Sequence, residues 1–223
     1  MFKFIDVEQN SDEWFELRGG RLTSSKLGTI MANFGKAFGD PAKKYAVNIA
    51  IEQITGKPIP STYSNAHMER GHEQEPLARA AYEDEYFCTV SNGGFFCTDF
   101  VGCSPDGMVY ADGAIEIKSV IAPVHYANLT RQGLDPAYKW QFIGNLKFTG
   151  RKWLDFVSYC AEFPADKQLF VHRITPAGLE KEFAMIDERI AQFKTLVAGI
   201  KKNIIEGEYS TEAKPAASTR KYR

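Results

Sequence analysis

Val101-Gly-Cys-Ser-Pro-Asp106-Gly-Met-Val-Tyr-Ala-Asp-Gly-Ala-Ile-Glu116-Ile-Lys118-Ser119 is the stretch on which the reading of this 223-residue chain turns. Its pattern is a strand, an Asp-bearing turn, a second strand and an Ala-Asp-Gly hairpin into a third strand. Side chains alternate along a strand, so Ile115 and Ile117 point one way, Glu116 and Lys118 the other. Asp106 precedes Glu116 across a turn that can bring it back beside the strand. Two carboxylates and an ammonium then converge at one sheet edge. Carboxylate oxygens suit Mg²⁺, which keeps positions open for water and phosphate, and a neighbouring lysine can orient or help deprotonate an attacking water. The competing reading is plain: Asp106 serves a Ser-Pro-Asp-Gly turn, and Glu116 and Lys118 form a solvated face. The rest of the chain decides between the two.

Composition excludes several classes. Apolar residues make up 44% of the chain, ordinary for a globular protein of one domain. No apolar run is long enough to span a bilayer, and the start, Met-Phe-Lys-Phe-Ile-Asp-Val-Glu, lacks the apolar segment of a signal peptide. A cytoplasmic protein is expected. The four cysteines (Cys88, Cys97, Cys103, Cys160) form no C-x-x-C pair, and no zinc site is expected. Cysteines in a reducing compartment are then small buried hydrophobes. With a net charge of −1, any nucleic-acid contact must come from a local basic patch or an internal channel.

Taken in order, Asn10 or Ser11 caps a first helix that ends at Gly19-Gly20. It directs Trp14 and Leu17 toward the core, and Arg18 lies at its end, where a cation also suits the helix dipole. Thr23 reads as the cap of a second short helix. Its hydroxyl-rich start, Thr23-Ser24-Ser25, together with Arg18, can hold a phosphate on free N–H groups; a simple cap is the competing reading. A helix is expected over 42–55, then a loop over 58–64. The next helix covers 71–86, with Pro76 tolerable only in its first turn or at a kink. On that helix Glu75 shares a side with Ala78, Tyr82 and Tyr86. An inward carboxylate is costly unless paired or metal-bound, which makes Glu75 a better ligand candidate than its acidic neighbours. Residues 89–118 read as a β-meander turning at Gly93-Gly94. Helices over 124–131 and 137–147 follow, the second carrying Gln141 among aromatic residues. Strands are expected over 152–160 and 168–174. A long helix over 176–206 carries an apolar stripe (Phe183, Ile186, Ile190, Phe193, Val197, Ile200, Ile204) that faces the core or an oligomer seam. The tail over 210–223 has few large apolar residues and is expected to be loose.

Trp14-Phe-Glu-Leu-Arg18, Leu22-Thr-Ser-Ser25, Gly71-x-x-x-Glu75, Gly102-Cys-Ser-Pro-Asp106-Gly107, Glu116-x-Lys118, Gln141 and Thr149-Gly-Arg-Lys-Trp153 occur in this order. In that order the chain resembles the lambda-exonuclease family, the YqaJ-type phage recombination nucleases of the RecB-like, restriction-endonuclease-like superfamily. The resemblance implies an α/β (α+β) fold, a mixed β-sheet flanked by helices. Length and composition add the expectation of one nuclease domain over residues 1–209 and a flexible tail over 210–223. It implies a Mg²⁺-dependent exonuclease that degrades linear double-stranded DNA from the 5′ end, releases 5′-mononucleotides and leaves a 3′ overhang. It further implies a phage or prophage protein, a ring-shaped homotrimer with DNA in its channel, and a single-strand annealing protein as partner.

Carried over by position, the resemblance gives Asp106 as a ligand shared by two Mg²⁺ ions, with Mn²⁺ a plausible substitute. Glu116 and the Ile117 carbonyl complete the first ion's set and Glu75 supports the second. Lys118 serves the water, and Gln141 helps position it or the phosphate. Arg18, Ser25 and Ser104 receive the terminal 5′-phosphate. The family carries an arginine shortly after its Glu-x-Lys strand; here none precedes Arg131, so His125 and Arg131 are the candidate substitutes. Rival readings are a superfamily endonuclease or 3′-end exonuclease, and a DNA-end-binding module that has lost catalysis. An iron–sulphur relative is disfavoured because no cysteine follows Cys160.

Overall fold

A computed structural model describes residues 2–59 and 66–207. Among the described residues, nine short strands form two mixed sheets. In the first, β1 (Lys3–Ile5), β4 (Phe95–Cys97), β5 (Val101–Cys103) and β2 (Leu22–Thr23) lie in the order β1-β4-β5-β2, with β5 and β2 parallel. In the second the order is β3 (Val90–Ser91), β6 (Gly107–Val109), β7 (Gly113–Ser119), β8 (Trp153–Tyr159), β9 (Leu169–Ile174). There β7 and β8 run parallel and the other pairs antiparallel. Parallel neighbours need a crossover, and helices α5 (Ala122–Arg131) and α6 (Lys139–Thr149) supply it.

Strands β7 and β8 at the centre of the second sheet are buried on both faces, so apolar side chains of β8 point to either side. Leu154 and Phe156 join the main core with α2 (Leu27–Met31), α3 (Asp40–Thr55), α6 and α7 (Glu180–Glu206). Val157 and Tyr159 face the other way, into a second core with Ile115, Ile117 and the Ala78 and Tyr82 side chains of α4 (Ala66–Tyr86). On β7, Ala114 turns into the main core. Glu116, two residues on, shares that α6-facing side. Among the described residues no helix is long and apolar enough to cross a membrane.

Several local expectations hold. Ser11 caps α1 (Asp12–Arg18), its hydroxyl accepting the Trp14 N–H at 3.2 Å. The α7 stripe packs into the main core, with Ile186, Phe193 and Val197 buried. Beside that stripe Arg189, only 1% exposed, donates to the carbonyls of Ile30, Lys36 and Ala32 at 2.6, 3.0 and 3.3 Å and stacks on Phe38. It thereby satisfies the end of α2 and the turn beyond it.

Two expectations are corrected. Residues 89–118 are not one meander: β4 and β5 belong to the first sheet, β3, β6 and β7 to the second. The chain changes sheets at Ser104-Pro105-Asp106. Pro105 has no N–H to extend a ladder, and the Asp106 N–H commits to the Ile115 carbonyl of β7 at 3.0 Å. Gly93 is required less for turning than for contact, since a Cβ there would lie 1.7 Å from the Pro105 oxygen. Helix α4 begins at Ala66, five residues earlier than the sequence suggests, and carries Pro76 inside it. Burial of Ala78 and Tyr82 against the sheet offsets the hydrogen bond that Pro76 removes. The 58–64 loop lies mostly, and the 210–223 tail entirely, outside the described residues.

Candidate active site

Asp106 stands where β6 would otherwise continue along β7. Its backbone N–H pairs with the Ile115 carbonyl, and its Oδ2 accepts the Ile117 N–H at 2.6 Å in place of a strand carbonyl. N–H and C=O of one strand residue point to the same side, so the Ile117 carbonyl faces this same open edge. Register does the rest: alternation places Glu116 and Lys118 together, and Lys118 Nζ donates to Glu116 Oε1 at 2.8 Å.

Helix α6 closes over Glu116, which is only 1% exposed. Gln141 donates to Oε1 and Asn145, one turn later, donates to Oε2 at 2.6 Å. Tyr138, just before α6, presents its ring 5.2 Å from Lys118 Nζ. From the other face α4 brings Glu75 and, one turn on, Arg79, whose Nη2 donates to the Asp106 backbone oxygen at 2.6 Å.

The electrostatics are those of an anionic cluster short of cations. Burial pushes the Glu116 carboxyl up to about 8; Asp106 and Glu75 add to the rise, and Lys118 opposes it. Glu75 is pushed up to about 7 by burial and by Asp106, against Arg79 and Lys118. Asp106 is raised too, by burial, although Lys118, the Ile117 N–H and Arg79 pull it down. Burial alone would lower the Lys118 amine, but Glu116 and Asp106 outweigh it and hold it above the usual lysine range. The three acids therefore sense one another, yet they do not form a closed ligand set. Among the described residues no three His, Cys, Asp or Glu side chains are arranged to hold an ion. The donor chemistry still fits a hard divalent cation: carboxylate and carbonyl oxygens at one edge, with surplus negative charge.

A second cluster adjoins the first. The Arg18 guanidinium lies 4.0 Å over the Trp14 ring, and the Trp14 indole N–H donates to Ser104 Oγ at 2.7 Å. One tryptophan thus holds both residues, and Ser104 is two positions from Asp106. Thr23 pairs with Gly102 across the parallel β2–β5 ladder, so Ser25 and Ser104 leave the same end of adjacent strands. Ser25 is exposed, its hydroxyl 3.1 Å from that of Thr23. Burial lowers the Arg18 pKa while Tyr45, Cys103 and Glu116 act to raise it, so its charge lies within reach of the carboxylates. Among the described residues nothing hydrogen-bonds the Arg18 guanidinium; its N–H donors remain uncommitted.

His125 is corrected as a phosphate-site substitute. It is fully buried, with Nδ1 2.9 Å from Ser158 Oγ and Nε2 3.0 Å from the Lys167 carbonyl, so both ring nitrogens are committed to the interior. Arg131 is exposed at the end of α5 and spends one N–H on Asn128. Sequence reasoning missed Asn145, Arg79, Tyr138 and the supporting role of Trp14. Helical spacing from Gln141 and from Glu75 was the available signal for the first two.

The model of the YqaJ-like viral recombinase domain matches residues 13–152. Among solved structures, an alkaline exonuclease (LHK-Exo) from Laribacter hongkongensis superposes with a TM-score of 0.77 at 29% identity, covering 88% of this chain and 97% of that one. The same enzyme in complex with dAMP gives 0.78 at 30% identity, with the same coverage. A phage related exonuclease from Haemophilus somnus 129PT, 13% identical, shares the fold with a TM-score of 0.62, covering 86% of this chain and 99% of its own. No curated protein matches.

Proposed function

This chain belongs to the YqaJ-like viral recombinase domain family, of lambda-exonuclease type, and on that premise we propose that it is a metal-dependent 5′→3′ exonuclease of linear double-stranded DNA. It releases 5′-mononucleotides and leaves a 3′ single strand for annealing-type recombination. The observation that carries this reading is the meeting of Asp106, Glu116, Lys118 and Gln141 at the open edge of β7, with the charge of Glu75 acting on both acids. That the similar alkaline exonuclease was solved with dAMP, a deoxynucleoside monophosphate, agrees with the expected class of product.

Asp106, Glu116, the Ile117 carbonyl and Glu75 are the groups that would hold two Mg²⁺ ions, or Mn²⁺ in their place. When bound, such ions supply Lewis-acid activation of water and stabilisation of the leaving oxygen. Lys118, which already donates to Glu116, would orient a water or a phosphate oxygen by donating N–H. Gln141 fixes the Glu116 carboxylate and adds a donor beside it. Arg18, Ser25 and Ser104 receive the terminal 5′-phosphate, the guanidinium through charge-assisted hydrogen bonds. That contact sets register and direction without reading sequence. A ring-shaped homotrimer and a single-strand annealing partner complete the proposal.

The test is digestion of end-labelled linear duplex with and without Mg²⁺ and with and without a 5′-phosphate. Mononucleotide release from the 5′ end, dependent on metal and faster on phosphorylated ends, is expected. Cutting of covalently closed circles, or loss of label from the 3′ end first, would overturn the assignment in favour of an endonuclease or a 3′-end enzyme. Light scattering on the purified protein tests the trimer.

A further inference from the structure

We infer that Asn145 is a positioning residue that sets the plane of the Glu116 carboxylate for metal binding; the inference rests on the metal-site reading above. The contacts on Glu116 are unevenly divided. Lys118 and Gln141 both donate to Oε1, whereas among the described residues Oε2 receives a side-chain donor only from Asn145, at 2.6 Å. Asn145 is fully buried, and its Oδ1 is buried with no partner. In its ionised, metal-binding form the Glu116 carboxylate only accepts hydrogen bonds, so the amide then turns its NH₂ to Glu116 and its oxygen is left facing nothing. A buried unpaired acceptor is a cost that an apolar residue of similar size would avoid.

The backbone around Asn145 is held as firmly as its side chain. A Cβ at the preceding Gly144 would lie 2.2 Å from Leu27 Cδ1, so α6 presses against α2 at that turn. Thr149 Oγ1 also donates to the Asn145 carbonyl at 2.7 Å. The backbone of Asn145 is therefore anchored, and Glu116 cannot rotate without breaking its bond to the Asn145 amide. Residues that orient a metal ligand in this way typically change metal affinity or activity by roughly 10–100-fold when removed.

The experiment measures stabilisation by Mn²⁺ alone, by thermal shift at fixed pH, for wild type, Asn145→Leu and Asn145→Ser. The Mn²⁺ midpoint should rise by about 10–100-fold in Asn145→Leu, and by less in Asn145→Ser, which keeps a short donor. Saturating Mn²⁺ should restore much of the nucleotide release. An unchanged midpoint accompanied by a lower metal-free melting temperature would mean a merely structural role and would overturn this inference. If Asn145→Leu does not fold, a wild-type midpoint in Asn145→Ser overturns it equally. Absence of any Mn²⁺ shift in wild type removes the metal site itself, and this inference with it, so the two failures are distinguishable.

Discussion

Glu116→Gln should make the metal-free protein more stable at alkaline pH while abolishing nuclease activity. In the fold the Glu116 carboxyl is pushed from the usual 4.5 up to about 8. Its protonated form therefore favours folding; that contribution is fully present below the unfolded pKa near 4.5 and is lost as pH rises through the folded value near 8. Such a pKa difference is worth about 5 kcal/mol. Glutamine can still accept from Lys118 and Gln141 through its oxygen. Its new NH₂ would face Asn145, whose unpaired Oδ1 can turn to receive it. Losing the charge on the Lys118 hydrogen bond takes back about 2 kcal/mol, leaving a gain of about 3 kcal/mol, or roughly 6–12 °C in Tm for a chain of this size. The assay is thermal or urea unfolding after chelation of metals, at pH 5 and pH 8.5. Wild type should lose stability between the two, the acids titrating as a group, whereas the variant should lose much less. Equal differences at both pH values, or a variant less stable than wild type at pH 8.5, would refute the reasoning.

Asp106→Asn should eliminate mononucleotide release and leave the circular dichroism spectrum unchanged, because the amide can still accept the Ile117 N–H; a wild-type rate would remove Asp106 from the site. Arg18→Ala should slow digestion mainly on 5′-phosphorylated duplex, and equal slowing on 5′-hydroxyl ends would reject the phosphate role. Divalent metal should raise Tm more at pH 8.5 than at pH 6, since it competes with protons on Glu75 and Glu116, whose pKa values are pushed up to about 7 and about 8; a pH-independent shift in Tm contradicts this. Arg189→Met should cost about 2 kcal/mol in urea unfolding, because one buried and two part-buried carbonyl groups lose their donor; a change below about 1 kcal/mol would mean water replaces the guanidinium.

Signals confined to a few neighbouring residues were legible. Ser11 as a cap, the two-residue alternation of β7 and the stripe of α7 each depend on spacing within one element. What the sequence concealed depends on partners far along the chain. Nothing near Thr89 or Lys118 says that β4 and β5 desert the other strands, because that choice is made by pairing with Lys3–Ile5 and Leu22–Thr23. The early start of α4 was hidden by Pro76, whose local penalty is outweighed by packing of Ala78 and Tyr82 on a distant sheet. His125 looked available because a lone histidine after a strand reveals neither the Ser158 hydroxyl nor the Lys167 carbonyl that enclose it. Asn145 was silent for the opposite reason: an asparagine inside an apolar helix carries no signal until its partner Glu116 is known.

Burial of an acid does not by itself mark a site, and this fold contains the control. Asp155 on β8 is as buried as Glu116 on β7, and its strand pairs directly with the Glu116 strand. Yet Asp155 is fully compensated: Arg173 donates to both of its oxygens, at 2.7 and 2.8 Å, and the Tyr82 hydroxyl donates to Oδ2 at 2.7 Å. That set ties α4 to the sheet and leaves no demand for another cation. Glu116, Asp106 and Glu75 share one lysine in direct contact and an arginine whose hydrogen bond goes to a backbone oxygen. Two carboxylates of equal depth thus differ in whether the protein neutralises them. A buried charge left short of a partner is expensive, and places where a chain breaks its own packing logic are where function is expected. The sheet face carrying Ala114, Leu154 and Phe156 would accept a leucine at position 116. The chain instead holds a carboxylate there, with two amide clamps from α6, and that choice favours a cation site over a structural one.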